Sequence, residues 1–414
     1  MEKIQKIKGF ADLLPNESQV YNHLESCAKR VFARYGYQEA RLPILERTEL
    51  FARSIGEETD VVQKEMYTFQ DRKGRSLTMR PEATAGVVRA YVENGLHVKE
   101  ELTKLFCAGP MFRYERPQKG RMRQFHQINV EALGSSSPLL DAEMLFMLGH
   151  FLGELGIADL NFELNSLGCP ECRPIYLSAL NDYFKGFDAG QLCEDCMRRK
   201  LTNPLRVLDC KVPSCRELTR TAPLIADYQC PGCREHFDAV LALLDAGGLN
   251  YTLSPRLVRG LDYYTRTTFE VTSGRIGAQT AVAGGGRYDG LVKSLGGPDL
   301  PGMGFACGME RLAMLMGEVP LVAPDFFLAA LGDKALNAGL LLSQELRNAG
   351  LAGECALATK SAKSQMRQAG KSGARFCLIL GDSEVETGTV VLKDMASGSQ
   401  DTVSRVSLLE HFRK

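Results

Sequence analysis

Residues Gly109–Gly134, GPMFRYERPQKGRMRQFHQINVEALG, gather the side chains of an anion-handling site into two candidate strands and the loop between them. His126, Ile128, Val130 and Ala132 alternate with Gln127, Asn129 and Glu131, the period of two that a strand requires. Two amides and a carboxylate on one face form a floor able to read a polar ligand, while the other face packs on a core. The incoming strand offers Arg113 and Glu115 on one face. Arg116, Gln118, Lys119, Arg121 and Arg123 then surround Gly120, and guanidinium forks there match phosphate oxygens. Taken alone, a solvated hairpin with a charged tip has the same pattern.

Three further segments bear on that choice: Gly284–Gly290 (GGGRYDG), Gly302–Leu312 (GMGFACGMERL) and Arg256–Tyr264 (RLVRGLDYY). Together with the hairpin they resemble the motifs of class II aminoacyl-tRNA synthetases. The 256–264 run resembles a signature of the histidyl-tRNA synthetase family within that class. The resemblance extends from the Lys8-Gly-Phe-Ala-Asp12 opening to the C-terminal domain. It implies an α+β fold: an antiparallel catalytic sheet with flanking helices, an inserted domain and a C-terminal α/β anticodon-binding domain. It also implies a homodimeric histidine–tRNA ligase, which forms histidyl-adenylate from L-histidine and ATP and passes the histidyl group to the 3′ end of tRNA(His). Magnesium should accompany the ATP phosphates. Two alternatives stand beside this. One is a catalytically inactive relative, such as the regulatory subunit of ATP phosphoribosyltransferase, which needs neither the full arginine set nor an anticodon domain. The other is a nucleic-acid-binding module that uses the fold without catalysis.

Activation of an amino acid joins two anions, so cations must hold the carboxylate and the triphosphate together. Arg113 and Arg311 resemble the family's pair at the α- and γ-phosphate ends, and Arg259 resembles its additional arginine beside the α-phosphate. These three are the catalytic candidates. An imidazole is read by a carboxylate opposite one ring nitrogen and a hydroxyl opposite the other. Glu131 and Tyr264 match the family positions that do this, with Tyr263 beside them. Glu82, Thr84 and Gln127 match those that take the amino and carboxylate ends of histidine. The resemblance places Glu115, Arg121 and Gly286 with ATP, since the glycines at 284–286 let backbone approach a ligand closely. It places Arg116 and Gln118 with tRNA. The roles of Arg287 and Tyr288 stay open.

The elements that would position these groups are legible in outline. Glu17–Tyr35 has the spacing of an amphipathic helix, and Tyr37–Leu45 reads as a strand ending near Pro43. Leu77–Arg80 reads as a strand, with Pro81 at or near the first turn of the following helix. Tyr264–Thr272 and Gln279–Ala283 read as strands, and Gly304–Cys307 leads into a helix from about Met309. Composition shifts at Gly168 and again at Gly247-Gly248, and two prolines bracket a short linker at Val319–Pro324. The resemblance makes 1–168 and 250–320 the catalytic domain, 169–249 a cysteine-rich insert and 325–414 an anticodon-binding domain. In that last domain Phe326–Leu331, Gly339–Asn348 and Phe376–Leu380 alternate strand, helix and strand.

The chain has 414 residues with 50 Lys+Arg against 50 Asp+Glu, so nucleic-acid contacts must come from local patches. Two such patches stand out. Lys360, Lys363, Arg367, Lys371 and Arg375 recur at helical spacing with no acid between them, a stripe suited to a phosphate backbone or else a solvated face. In the insert, Arg198, Arg199, Lys200, Arg206, Lys211, Arg216 and Arg220 oppose only Asp209 and Glu217. No apolar run of about 18 residues and no leader-like apolar segment is seen, so a cytoplasmic protein without membrane spans is expected. Eight of 13 cysteines lie between 169 and 233: Cys169, Cys172, Cys193, Cys196, Cys210, Cys215, Cys230 and Cys233. In a reducing compartment such pairs point to thiolate metal ligation, with enough ligands for one or two structural zinc sites. The looser Cys210/Cys215 spacing also fits the remnant of a lost site. Gly370-Lys371-Ser372 ends like a P-loop, but Gln365 stands where its first glycine belongs.

Overall fold

In the computed structural model, residues 3–188, 190–276, 281–319 and 322–412 are described. The chain divides into two compact units, Met1–Val319 and Pro320–Lys414. The first is built on an eight-stranded sheet. Its order is Gln38–Glu39, Thr103–Phe112, Gln124–Leu133, Gly302–Gly308, Ala281–Arg287, Thr265–Ser273, Leu160–Ser166 and Thr252–Leu253. The six central strands are antiparallel, and only the two-residue edge strands pair in parallel. A sheet of this kind has no crossover helix to cover both faces, so one face is free to become a site.

Helices cover the other face. Pro15–Arg34 buries Leu24, Cys27, Ala28, Val31 and Phe32, and Pro138–Glu154 buries Leu145, Leu148, Phe151 and Leu152. They meet the inward residues Ile128, Val130, Ala132, Phe269, Val271 and Phe305 in one core. At about 25 cal/mol per Å2 of apolar surface, this layer fixes the strand register: a one-residue slip would turn the polar floor into the core.

Local chemistry departs from the expected elements in several places. Tyr37–Leu45 is not one strand: Gln38–Glu39 pairs with Leu105 and Phe106, and Leu45–Arg47 joins a separate three-stranded sheet. Pro43 explains the break, since it has no amide proton for a ladder. Pro81 lies ahead of its helix, which spans Thr84–Glu93. The first two residues of the expected 279–283 strand, Gln279 and Thr280, lie outside the described residues, as do Pro320 and Leu321 at the junction of the segments 250–320 and 325–414. Within the span read as an insert, helices and turns over Tyr176–Tyr228 form a small core of their own. Helix Pro231–Ala246 instead buries Val240 and Leu244 in the main core.

The second unit carries a five-stranded mixed sheet, in the order Gly353–Cys355, Phe326–Leu331, Phe376–Gly381, Thr389–Asp394 and Gln400–Ser404. Gly370-Lys371-Ser372 lies inside helix Ala362–Ser372, not in a phosphate loop. No helix among the described residues is long and apolar enough to cross a membrane.

Candidate active site

The uncovered face of the large sheet opens into a cleft of about 1050 Å3. Its floor comes from Gln127 and Asn129 on one strand and from Glu270 and Thr272 on another, with Gly284 between them. The side chains arrive there because residues of one parity on each strand share a face.

At one end, burial governs the chemistry. Glu131 is 1 % exposed and Glu82 3 %. Glu131 accepts a hydrogen bond from Thr84 Oγ1 at 2.6 Å and another from the Tyr288 hydroxyl. Glu82 accepts from the backbone amides of Thr84 (2.7 Å) and Ala85 (2.9 Å) at the start of the Thr84–Glu93 helix, where orphan donors favour a carboxylate. Removal from water nonetheless dominates both acids. It pushes the Glu131 carboxyl up to about 8, against the two hydroxyl bonds, with the Glu82 charge adding to the rise. Glu82 is raised for the same reason. Tyr263 and Tyr264, 4.7 Å apart between ring centres, form the adjoining wall. Tyr288 completes it with a ring 5.6 Å from Tyr263.

At the other end, cations converge. Arg113 Nε donates to the Pro81 carbonyl at 2.8 Å and its guanidinium lies 5.4 Å from the Phe125 ring. Arg121 pairs with Glu115 at 2.9 Å. Arg311 donates to the Ala281 carbonyl. Burial, followed by repulsion from Arg121, holds the Arg311 guanidinium below its ordinary value, and Arg113 repels it as well. Like charges gathered at such cost are relieved by an anion between them. Arg259 sits between the two ends. Its Nη1 bonds Glu270 at 2.6 Å, and its guanidinium lies 5.7 Å from the Tyr264 ring. Among the described residues, Arg259 Nε, Gln127 Oε1 and Asn129 Oδ1 are buried without a hydrogen-bond partner. Three unmet polar groups in one cleft are what a ligand would satisfy.

Most of the expected site residues therefore meet here: Glu82, Thr84, Arg113, Glu115, Arg121, Gln127, Arg259, Tyr263, Tyr264 and Arg311 all line the cleft, with Glu131 bonded to two of its walls. Arg113 and Glu115 do so from beyond the strand, which ends at Phe112 because the Tyr114 amide turns to the Glu65 carbonyl. Gly286 is not where it was expected. A Cβ there would meet the Thr267 carbonyl at 2.5 Å, so it faces the neighbouring strand, whereas one on Gly284 would lie 2.3 Å from Arg259 Nη2. Arg116 and Gln118 are exposed on the loop outside the cleft. Arg287 is fully buried with Asp141 at 2.6 Å, and Asp141 in turn bonds His236 at 2.9 Å, so its role is to tie the sheet to its helices. Sequence reading put Asn129 on the ligand-reading floor, as the structure does, left the role of Tyr288 open and passed over Glu270. Thr268, Glu270 and Thr272 share one parity on their strand, a signal that would have flagged the last.

The basic run of the insert is not free either. Arg198 and Arg199 pair with Asp60, Arg206 and Lys211 with Asp209, and Arg220 with Glu217. Its eight cysteines fall into two groups, Cys169/Cys172/Cys230/Cys233 and Cys193/Cys196/Cys210/Cys215, each with its sulfurs within 4.8 Å of one another. In the second unit Lys363, Arg367 and Lys371 are exposed on helix Ala362–Ser372, while Lys360 and Arg375 flank it rather than extend its stripe.

Residues 9–312 match the family described as Histidyl-tRNA synthetase, and residues 325–414 match the Anticodon binding domain family. The chain belongs to the histidyl-tRNA synthetase family. It is 66 % identical to a histidine–tRNA ligase of Solidesulfovibrio magneticus over 413 residues, covering 100 % of this chain and 98 % of that one. The apo histidyl-tRNA synthetase of S. aureus superimposes with a TM-score of 0.84 at 36 % identity, covering 100 % of both chains. An ATP phosphoribosyltransferase regulatory subunit/histidyl-tRNA synthetase from Bacillus halodurans C shares the fold alone, at 17 % identity and a TM-score of 0.66 over 89 % of this chain and 97 % of that one. This family member is thus an aminoacyl-tRNA ligase with both catalytic and anticodon-binding parts, and the inactive-paralogue alternative is not favoured.

Proposed function

We propose that the cleft activates L-histidine with ATP and then transfers the histidyl group to the 3′-terminal adenosine of tRNA(His), each residue acting where its chemistry fits. Glu131, with Tyr264, reads the imidazole; Glu82, Thr84 and Gln127 hold the amino and carboxylate ends; Tyr263 and Tyr288 exclude water. The histidine carboxylate oxygen attacks the α-phosphorus, the bond to the β-phosphate oxygen breaks, and pyrophosphate leaves. Arg259 neutralises the α-phosphate in that step, and Arg113, Arg121 and Arg311 hold the triphosphate. The 3′ hydroxyl of tRNA then attacks the acyl carbon and AMP departs. The observation that carries this reading is the juxtaposition of a buried carboxylate–hydroxyl pocket with a crowded arginine cluster, bridged by Arg259.

Magnesium suits the oxygen donors present. Glu115 and Glu270 are the carboxylates nearest the arginines, and the ion, when bound, offsets phosphate charge. The cysteine groups of the insert hold structural zinc. Arg116 and Gln118 contact tRNA beside the cleft, and Lys360, Lys363 and Arg367 contact its anticodon arm. A homodimer in the cytoplasm is the natural setting: Ile44, Leu45 and Phe69 leave 40–45 % of their surface exposed on and beside the three-stranded sheet, an apolar patch that a second copy would cover. The deciding experiment is ATP–pyrophosphate exchange with each amino acid in turn. Stimulation by histidine alone is expected; exchange without amino-acid dependence would defeat the reading.

A further inference from the structure

The run 256–264, which carries Arg259, Tyr263 and Tyr264, has no helix or strand to hold it. Besides bonds from Asn165 Nδ2 to the Leu257 carbonyl (2.9 Å) and from the Asp262 amide to the Ile55 carbonyl (3.1 Å), it is held by hydrogen bonds with the insert. Arg256 Nη1 donates to the Thr219 carbonyl at 2.5 Å. Arg206 Nη1 donates to the Arg259 carbonyl at 2.8 Å, and Asn203 Nδ2 to Asp262 Oδ1 at 2.8 Å. Arg173 donates to the carbonyls of Asp262 (3.4 Å) and Tyr264. The insert residues in these bonds neighbour the cysteine groups in sequence: Thr219 lies four residues after Cys215. Arg173 follows Cys172 directly, and Asn203 and Arg206 lie between Cys196 and Cys210.

The cysteine groups have the dimensions of mononuclear metal sites. A zinc–sulfur bond of about 2.3 Å in a tetrahedron sets sulfur–sulfur edges near 3.8 Å. Here Cys169–Cys172 is 3.6 Å, Cys169–Cys230 is 3.9 Å and Cys193–Cys210 is 3.8 Å, all far beyond a disulfide bond. Backbone amides already point at the sulfurs, as around thiolates: Cys230 N to Cys172 Sγ at 3.1 Å, Cys193 N to Cys215 Sγ at 3.1 Å and Val212 N to Cys210 Sγ at 3.4 Å. Gly168 enters the first group at φ +66°, where a Cβ would come within 2.8 Å of Cys172 Cβ. The Gly168 carbonyl also accepts from the amide of Arg266, which has φ +44°, immediately after the run.

We infer that the insert is a pair of zinc staples whose shared task is to position the histidine-binding run, so that loss of either metal weakens histidine binding. This rests on the proposed active site and deepens it. At each site four thiols form four sulfur–zinc bonds and give up their protons to solvent, with no redox change. The metal fixes the start of helix Cys172–Lys185 or the 203–206 turn, and those fix the run.

The test uses the full-length protein purified without a metal-binding tag. Elemental analysis should return two zinc per chain, and less than about a tenth of an equivalent, or iron instead, overturns the zinc assignment. Arg173→Ala and Asn203→Ala leave all eight ligands in place. Each should retain two zinc, weaken histidine at least tenfold by calorimetry and speed hydrogen exchange across 256–264. Cys230→Ser with Cys233→Ser should bind one zinc and show the same loss. Full zinc content with unchanged histidine affinity and exchange in both Arg173→Ala and Asn203→Ala overturns the staple. A wild-type protein that holds two zinc yet binds no histidine refutes the active-site reading instead.

Discussion

In the cleft, polar groups are buried before any ligand arrives: Glu131 and Asn129 are each 1 % exposed, and Arg311 is pressed by neighbouring arginines. On helix Ala362–Ser372 of the second unit the reverse holds. Lys363, Arg367 and Lys371 lie in solvent, while Gln365 and Ala369 are buried and Met366 packs beside them. There Gln365 bonds both the amide (2.8 Å) and the carbonyl (2.6 Å) of Ala330, fixing the helix on its sheet so that one face stays outward. Buried groups have lost their water and gain only from a partner of matching shape and charge, so they confer selectivity. Exposed cations keep their hydration and attract phosphate from any sequence, so their effect is graded and screened by salt. In the proposed function, one chain would thus read a small molecule by unmet buried groups and a large polyanion by a solvated face.

The contrast breaks most visibly at Arg259. Arg259→Ala removes the cation between the two ends of the cleft and should slow adenylate formation about 10²–10³-fold, roughly 3 kcal/mol or more, with little change in ATP affinity. Arg259→His should do no better, since a neutral imidazole supplies neither charge nor fork. Single-turnover pyrophosphate exchange measures both, and a normal rate in the alanine variant would remove Arg259 from the chemistry.

A smaller effect is expected at Glu131, and pH exposes it. Between the ordinary 4.5 of an unfolded glutamate and about 8 in the fold, the native chain holds one more proton here than the unfolded chain. The stabilising contribution is therefore complete below about 4.5 and lost as pH rises through about 8. Glu131→Gln abolishes that linkage, so the wild-type advantage in denaturant melts should shrink by up to about 1.4 kcal/mol per pH unit across that window. Histidine binding runs the other way. The ionised carboxylate is the form that accepts an imidazole N–H, so wild-type affinity should climb from pH 6.5 to 8, while the glutamine variant binds about 10–100-fold more weakly without that climb. Calorimetric titrations with parallel slopes for the two proteins would exclude Glu131 from reading the ring.

Where sequence and structure agree, local periodicity was enough. The Gln124–Leu133 strand is legible because its two faces differ at every step, and the helix from Met309 because a strand and a glycine precede it. What stayed hidden depends on pairings distant in the chain. Nothing near Arg199 announces Asp60, and nothing near Arg206 announces the Arg259 carbonyl. The insert's basic run consequently looked like a free patch when several of its members were already paired. Gly286 and Gly284 share a parity on their strand, and only the backbone at Gly286, with φ +152° beside a β-bulge, turns its Cβ position to the Thr267 carbonyl instead of the cleft. Tyr288 follows the same turn as Arg287, yet one bonds Glu131 and the other is buried with Asp141.

The smallest effect should come from the solvated face, and its form matters more than its size. Lys363→Glu with Arg367→Glu reverses two charges that have no ion-pair partner among the described residues. If phosphates of the anticodon arm dock there, each lost contact releases one fewer counterion, so the slope of log affinity against log salt should flatten by about one per contact. The tRNA KM should rise several-fold at low salt, and the gap from wild type should narrow as salt screens both proteins. Histidine-dependent pyrophosphate exchange should stay unchanged, because no residue of the cleft is touched. A cleft mutation does the opposite: it lowers exchange and leaves the salt slope of tRNA binding alone. Aminoacylation by the double variant with a wild-type KM and salt slope would mean that these cations serve solubility only. Anticodon recognition would then have to be sought elsewhere in residues 325–412, and the division between buried selectivity and exposed attraction would no longer map onto the two units.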